Sequence, residues 1–212
     1  MKEIARILLD INAVTLNPDE PYTWASGIKS PIYCDNRLIL SYPKERDIVE
    51  NSLVDLVKNN FPATEYIMAT ASAGISHGAI IADKMGLPMG YVRNKGKDHG
   101  KKNLIEGKII KGAKTLVVED LFSTGSSSID AALALKDKGF DVIGIISIFT
   151  YNLKIAEENF KKYNLKFASL ATYDELLDLA LEVGYIKAEQ LNKLKKFKDN
   201  PQDPSWMNNG NF

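Results

Sequence analysis

Leu116-Val-Val-Glu-Asp-Leu-Phe-Ser-Thr-Gly-Ser-Ser-Ser128 reads as an apolar strand that ends in two acids and runs through a hydroxyl- and glycine-rich turn into a helix. Such a turn makes a phosphate cradle. Backbone N–H groups converge at the positive end of a helix, Gly125 lets the backbone approach closely, and Ser123, Thr124, Ser126 and Ser127 add donors. The acids at the strand end would repel a bare phosphate. They fit a ligand that also carries hydroxyls, with Glu119 and Asp120 accepting from a ribose 2′- and 3′-OH while the turn holds its 5-phosphate. No Gly-Lys-Ser/Thr follows, so this is not a Walker A loop, and it is not Gly-x-Gly-x-x-Gly.

Outward from this stretch the chain alternates strand and helix. Apolar runs predict strands over 66–71, 89–93, 115–118, 142–149 and 165–171. Helical spacing falls at 2–12, 42–60, 76–85, 128–138 and 153–163, and two more helices follow, the first opened by a capping box from Thr172 to Glu175. In the 42–60 helix, Ile48, Leu53, Leu56 and Val57 are predicted inward, with Ser41 as the cap. Residues 13–40 carry Pro18, Pro21, Gly27 and Pro31 between β-rich pieces at 13–16, 32–34 and 38–40, which reads as a small irregular hood. The predicted fold is α/β: one domain over 1–212 with a mostly parallel twisted sheet, helices on both faces and an N-terminal hood. The hood covers about 1–40, the core about 61–150 and the C-terminal helices 151–198, and the tail from Asp199, with Trp206, reads as loosely ordered. Ligands of such sheets sit at the carboxyl ends of the strands, so the loops after Ala71, Arg93 and Val118 are where a site is expected.

Composition narrows the function classes. Twenty-seven basic residues balance 27 acidic ones, so the whole molecule has no electrostatic reason to bind nucleic acid or anionic lipid. No run approaches the roughly 18 apolar residues needed to cross a bilayer, and the charged N-terminal helix is not patterned as a signal peptide, so a cytoplasmic protein is expected. Cys34 is the only cysteine and reads as a small strand residue. One cysteine and two distant histidines do not form a zinc ligand set.

A second constellation, Arg93-Asn-Lys-Gly-Lys-Asp-His-Gly-Lys-Lys102, follows a strand and concentrates positive charge on a segment with no apolar residue to bury. Gly96 and Gly100 keep it flexible. A cationic flap of this kind can close over a departing pyrophosphate and neutralise the charge that develops. His99 lies inside it, whereas His77, near the start of the 76–85 helix, reads as structural.

The 116–128 segment resembles the phosphoribosyl pyrophosphate signature of type I phosphoribosyltransferases. Together with Tyr22-Thr-Trp-Ala-Ser-Gly-Ile-Lys-Ser-Pro-Ile-Tyr-Cys-Asp-Asn-Arg37 and the Lys-x-His of the flap, it resembles the orotate phosphoribosyltransferases over most of the chain. The resemblance implies the type I fold and transfer of a phosphoribosyl group to orotate in pyrimidine biosynthesis. It implies that Arg93, Lys97 and His99 hold pyrophosphate, and that Glu119, Asp120, Leu121, Phe122, Ser123, Thr124, Gly125, Ser126 and Ser127 hold the ribose phosphate. Lys97, His99 and Asp120 would be catalytic, and Ser123, Lys29, Ser30 and Tyr33 would lie near the pyrimidine. Magnesium would be carried by substrate oxygens with no protein-only metal cage, and the flap would reach into the partner's site of a homodimer. A purine or uracil salvage enzyme would keep the cradle but give no reason for the hood segment. A non-catalytic sensor of phosphoribosyl pyrophosphate acting on RNA or DNA would need an added basic arm or helix-turn-helix.

The chain departs from some members of that family. They carry lysines where Ala25, Ala73 and Asn94 stand, and an arginine after the last core strand, where Phe149, Thr150 and Tyr151 stand. Arg37 or Lys29 would then supply the missing cation for the orotate carboxylate.

Overall fold

The computed structural model describes residues 2–24, 27–93 and 104–207. Helix α1 (Lys2–Asp10) leads into β1 (Val14–Leu16), β2 (Tyr22–Thr23), β3 (Lys29–Ser30) and β4 (Ile32–Cys34). A 3-10 turn (Asn36–Ser41) and α2 (Pro43–Asn60) precede β5 (Tyr66–Thr70), α3 (Ala73–Met85), β6 (Met89–Val92), β7 (Ile105–Glu106) and β8 (Lys114–Val118). Then come β9 (Leu121–Phe122), α4 (Ser126–Asp137), β10 (Asp141–Thr150), α5 (Lys154–Lys162), β11 (Phe167–Thr172), α6 (Tyr173–Glu182), α7 (Ala188–Asp199) and a second 3-10 turn (Pro204–Met207).

The main sheet runs β11-β10-β8-β5-β6-β7, with β9 continuing beside β10. All its pairings are parallel except that of β6 with β7. Successive side chains of a strand point to opposite faces, and the two cores follow that alternation. Ile67, Leu116, Val118, Ile146 and Ile148 join residues of α1, α2, α3 and α6 on one face. Met68, Val117 and Ile145 join Ile129, Ala132 and Leu135 of α4 and Phe160 of α5 on the other. Strands covered on both sides carry apolar residues on both faces, which is why 66–69 of β5 and 116–118 of β8 read as continuous hydrophobic runs. The expected α/β architecture therefore holds.

Several local expectations are corrected. Residues 38–40 are not a strand but part of the 3-10 turn, whose start Asp35 caps by accepting from the Arg37 amide. Ser41 does not cap α2; Tyr42 stands there with no side-chain cap, and Pro43 starts the helix, where its missing N–H costs nothing. Ile48 is solvent-exposed, and Val49 and Glu50 take the inward positions beside Leu53 and Val57. Helices α3 and α4 start earlier than periodicity indicates, because their first turns are polar or small and carry no apolar signal. The capping box at Thr172 and Glu175 forms as expected. As far as Met207 the tail is tied down by Trp206, which is 2% exposed and packs edge-on against Phe197.

Candidate active site

Where β8 leaves the sheet, Glu119 turns inward. Its carboxylate accepts from the Asp120 amide at 3.1 Å and from the Ser128 hydroxyl at 3.2 Å, and only 8% of the residue is exposed. Burial, and next the charge of Asp120, push its pKa up to about 7. Asp120 is half-buried, and its backbone carbonyl accepts from the Phe149 amide at 3.3 Å and the Asn36 side chain at 2.8 Å. Of the two acids, Glu119 is already engaged by the protein and Asp120 is the one more open to a ligand.

Leu121 and Phe122 form β9, with Phe122 buried edge-on against Phe160 at 5.0 Å. Gly125 then turns the chain at φ +75°, over the same Phe160 ring. A Cβ there would sit 2.8 Å from the ring, so the turn needs glycine both for its dihedral and for its close approach. Ser126 and Ser127 open α4, exposed, and Gly125 offers no side-chain cap to the first-turn amides. Those amides at the positive end of the helix are the donors that a phosphate needs. The Thr124 and Ser126 hydroxyls lie 2.9 Å apart at the rim.

Two cavities flank the turn. One, of about 260 Å³, brings Arg93 at the end of β6 and Thr70 at the end of β5 to the same wall as Ser126 and Ser127. The Arg93 guanidinium is 3.2 Å from the Glu106 carboxylate across the β6–β7 pair. The other, of about 560 Å³, lies between Ser123 and Thr124, the hood residues Trp24 and Ile28, and Lys154 and Lys198 of the C-terminal helices. The peptide between Ala71 and Ser72, in the loop after β5, is cis.

In the hood, the Lys29 ammonium donates to the Thr23 hydroxyl at 2.7 Å and is exposed. Ser30 is buried, and its hydroxyl donates to the Ile32 carbonyl. Tyr33 is exposed and tilts against Tyr22. Asp35 engages Arg37 at 2.6 and 2.8 Å, whereas Lys29 has no carboxylate partner among the described residues. Cys34 closes β4, and desolvation, followed by the charge of Asp120, pushes its thiol well up, away from nucleophilic character. Tyr151, directly after β10, is buried and stacks on Trp24 at 5.5 Å with 14° between the rings. His77 is fully buried and bonds Glu50 of α2 at 2.5 Å, a structural role as expected. Lys97 and His99 lie outside the described residues. Among the described residues, no three His, Cys, Asp or Glu side chains group as a metal site.

Sequence reasoning missed Thr70, Ser128 and Asn36. Thr70 had a signal, a polar residue closing an apolar strand at its carboxyl end. Ser128 and Asn36 had none, since each matters through a partner distant along the chain or buried by the fold.

Residues 39–172 match the phosphoribosyl transferase domain family. The chain is 55% identical over 206 residues to an orotate phosphoribosyltransferase of Streptococcus mutans, covering 97% of this chain and 98% of that protein. It is 56% identical over 205 residues to one from Streptococcus thermophilus, covering 97% of each. In fold it is similar to a crystal structure of orotate phosphoribosyltransferase from Aeropyrum pernix, with a TM-score of 0.77 at 24% identity over 87% of this chain and 99% of that one. A strand-end acid pair above a glycine turn, in a chain this close to those relatives over nearly its whole length, places it in the orotate phosphoribosyltransferase family.

Proposed function

We propose the following division of labour for transfer of the 5-phosphoribosyl group from phosphoribosyl pyrophosphate to orotate, giving orotidine 5′-monophosphate and pyrophosphate in pyrimidine biosynthesis. The observation that carries it is the turn from Asp120 to Ser127, which sets a half-buried carboxylate beside the uncapped first turn of α4. The Ser123 to Ser127 turn holds the 5-phosphate, and Asp120 accepts from the ribose hydroxyls and stabilises positive charge on the ribosyl carbon. Arg93, with Lys97 and His99 of the flap, faces the leaving pyrophosphate. Support comes from the shared wall of Arg93, Thr70, Ser126 and Ser127.

The base lies on the hood side of the turn, near Ser123, Tyr33, Ser30 and Lys29. Ser30 contributes through the shape of its turn, its hydroxyl being bonded within the hood. Lys29 is the cation for the orotate carboxylate, because Arg37 is engaged by Asp35 on two nitrogens. The nitrogen of orotate attacks as pyrophosphate departs, through an oxocarbenium-like state, and no covalent nucleophile takes part.

Magnesium fits this donor set. The cation takes one or two carboxylates and completes its shell with phosphate oxygens and water, and Asp120 is the half-buried carboxylate at the cradle. When bound, the metal neutralises the pyrophosphate oxygens. A homodimer is supported by the exposed Tyr33 and Leu38 of the hood, Tyr42 ahead of α2 and Ile48 on it, apolar side chains that a second copy could cover, and the sharing of sites rests on the family resemblance. A cytoplasmic location agrees with the even charge balance, and no described helix is long and apolar enough to cross a membrane.

Orotate, phosphoribosyl pyrophosphate and magnesium are incubated with the protein and loss of orotate absorbance is followed. Orotate is consumed, and chelation of magnesium stops it. Consumption of hypoxanthine, xanthine or uracil in place of orotate would overturn the hood reading.

A further inference from the structure

Glu119 and Asp120 fall between strand ladders, since β10 pairs with β8 as far as Val118 and resumes with β9 at Leu121. The Asp120 peptide therefore depends on few bonds. The sheet contributes one from Phe149 at 3.3 Å, long for an N–H···O bond. The stronger one comes from Asn36, whose side-chain amide reaches the Asp120 carbonyl at 2.8 Å from 84 residues away.

Asn36 has little freedom of its own. It is fully buried at the start of the 3-10 turn, directly after Asp35. The Asp35 amide donates to the Ala13 carbonyl at 2.7 Å, and its carboxylate is clamped by Arg37. β4, with Tyr33 and Cys34, ends immediately upstream. The Asn36 side-chain oxygen has no hydrogen-bond partner among the described residues, so burying this amide is a cost to the fold. What the amide adds is its bond to Asp120.

We propose that Asn36 is a positioning residue that sets the hood, with its pyrimidine contacts, in register with the peptide of Asp120. This rests on the reading of the chain as an enzyme acting on orotate. The attacking nitrogen approaches from the hood and the ribosyl carbon is held from the cradle, so an error in their relative placement acts directly on the reacting distance. A displacement of about 1 Å in such a geometry costs roughly 100-fold in rate.

The test is a double-substitution cycle on the magnesium-loaded enzyme. Asn36→Leu keeps the branching at Cγ and removes the donor, and Asn36→Ala removes it without adding bulk. Loss of the donor lowers kcat roughly 10- to 100-fold while the KM for phosphoribosyl pyrophosphate stays within about threefold. Added to Asp120→Asn, which keeps the backbone carbonyl that Asn36 holds, it causes a further loss of similar size, because the hood is set through the peptide and not through the carboxylate. The cycle is read on Asn36→Leu or Asn36→Ala, whichever melts within about 10 °C of the wild type. If neither does, Asn36 is a packing residue and the proposal fails. A further loss that vanishes in the double variant, or a KM for phosphoribosyl pyrophosphate that rises as much as kcat falls, overturns it while leaving the orotate reading intact, and a wild type that leaves orotate untouched overturns both.

Discussion

The Ser128 hydroxyl donates to the Glu119 carboxylate at 3.2 Å, tying the first turn of α4 to the end of β8 beneath the phosphate turn. Glu119 is thereby held as a buried acid whose pKa is raised, chiefly by desolvation, from 4.5 to about 7. Between those two values the folded chain binds more protons than the unfolded one, so this group's contribution to stability declines as pH rises through that window. Above about pH 7 the buried charge costs on the order of 3 kcal/mol. Glu119→Gln is expected to melt above the wild type at about pH 8, with the advantage shrinking towards about pH 5, while phosphoribosyl transfer declines. Thermal melts at the two pH values check this, and an advantage independent of pH would assign the effect to packing.

Asp120→Asn is expected to lower turnover by two or more orders of magnitude at nearly unchanged melting temperature. A half-buried strand-end carboxylate contributes little to packing. Parallel loss of melting temperature and activity would make Asp120 a structural residue.

Gly125→Ala places a methyl group against the Phe160 ring at a positive φ. A destabilisation of about 1–3 kcal/mol is expected, together with a raised KM for phosphoribosyl pyrophosphate. Phe160 is a buried core residue, so the comparison is made against Phe160→Leu alone, in which Gly125→Ala should cost less but still cost, the contact being relieved and the dihedral not. A cost that vanishes there would show that the ring contact alone requires glycine.

Lys97 of the flap is expected to act on the partner's cradle. Lys97→Ala and Asp120→Asn homodimers are each nearly inactive, and when they are mixed and exchange subunits, about half the dimers are hybrids with one intact site. Activity then returns to roughly a quarter of wild type. Verified subunit exchange with no return of activity would place flap and cradle in one subunit.

The order of strands and helices was legible because their cores are local patterns: 66–69 of β5 and 116–118 of β8 are unbroken apolar runs, and Gly86, in the left-handed conformation, ends α3 where expected. The glycine turn was legible for the same reason, its residues all falling within Ser123 to Ser127. Errors came where no side-chain pattern marks the backbone, as at the 3-10 turn and the polar first turn of α4. What only the tertiary structure decided are relations between distant residues. Trp206 is ordered because Phe197 and the core close over it, and Tyr151 is buried because Trp24 from the hood stacks on it. Glu119 and Asp120 look alike as neighbours in a chain. One became a buried acid and the other a half-open one, because Ser128 folds back over the first and Asn36 reaches the second through its backbone, leaving its carboxylate free of that bond.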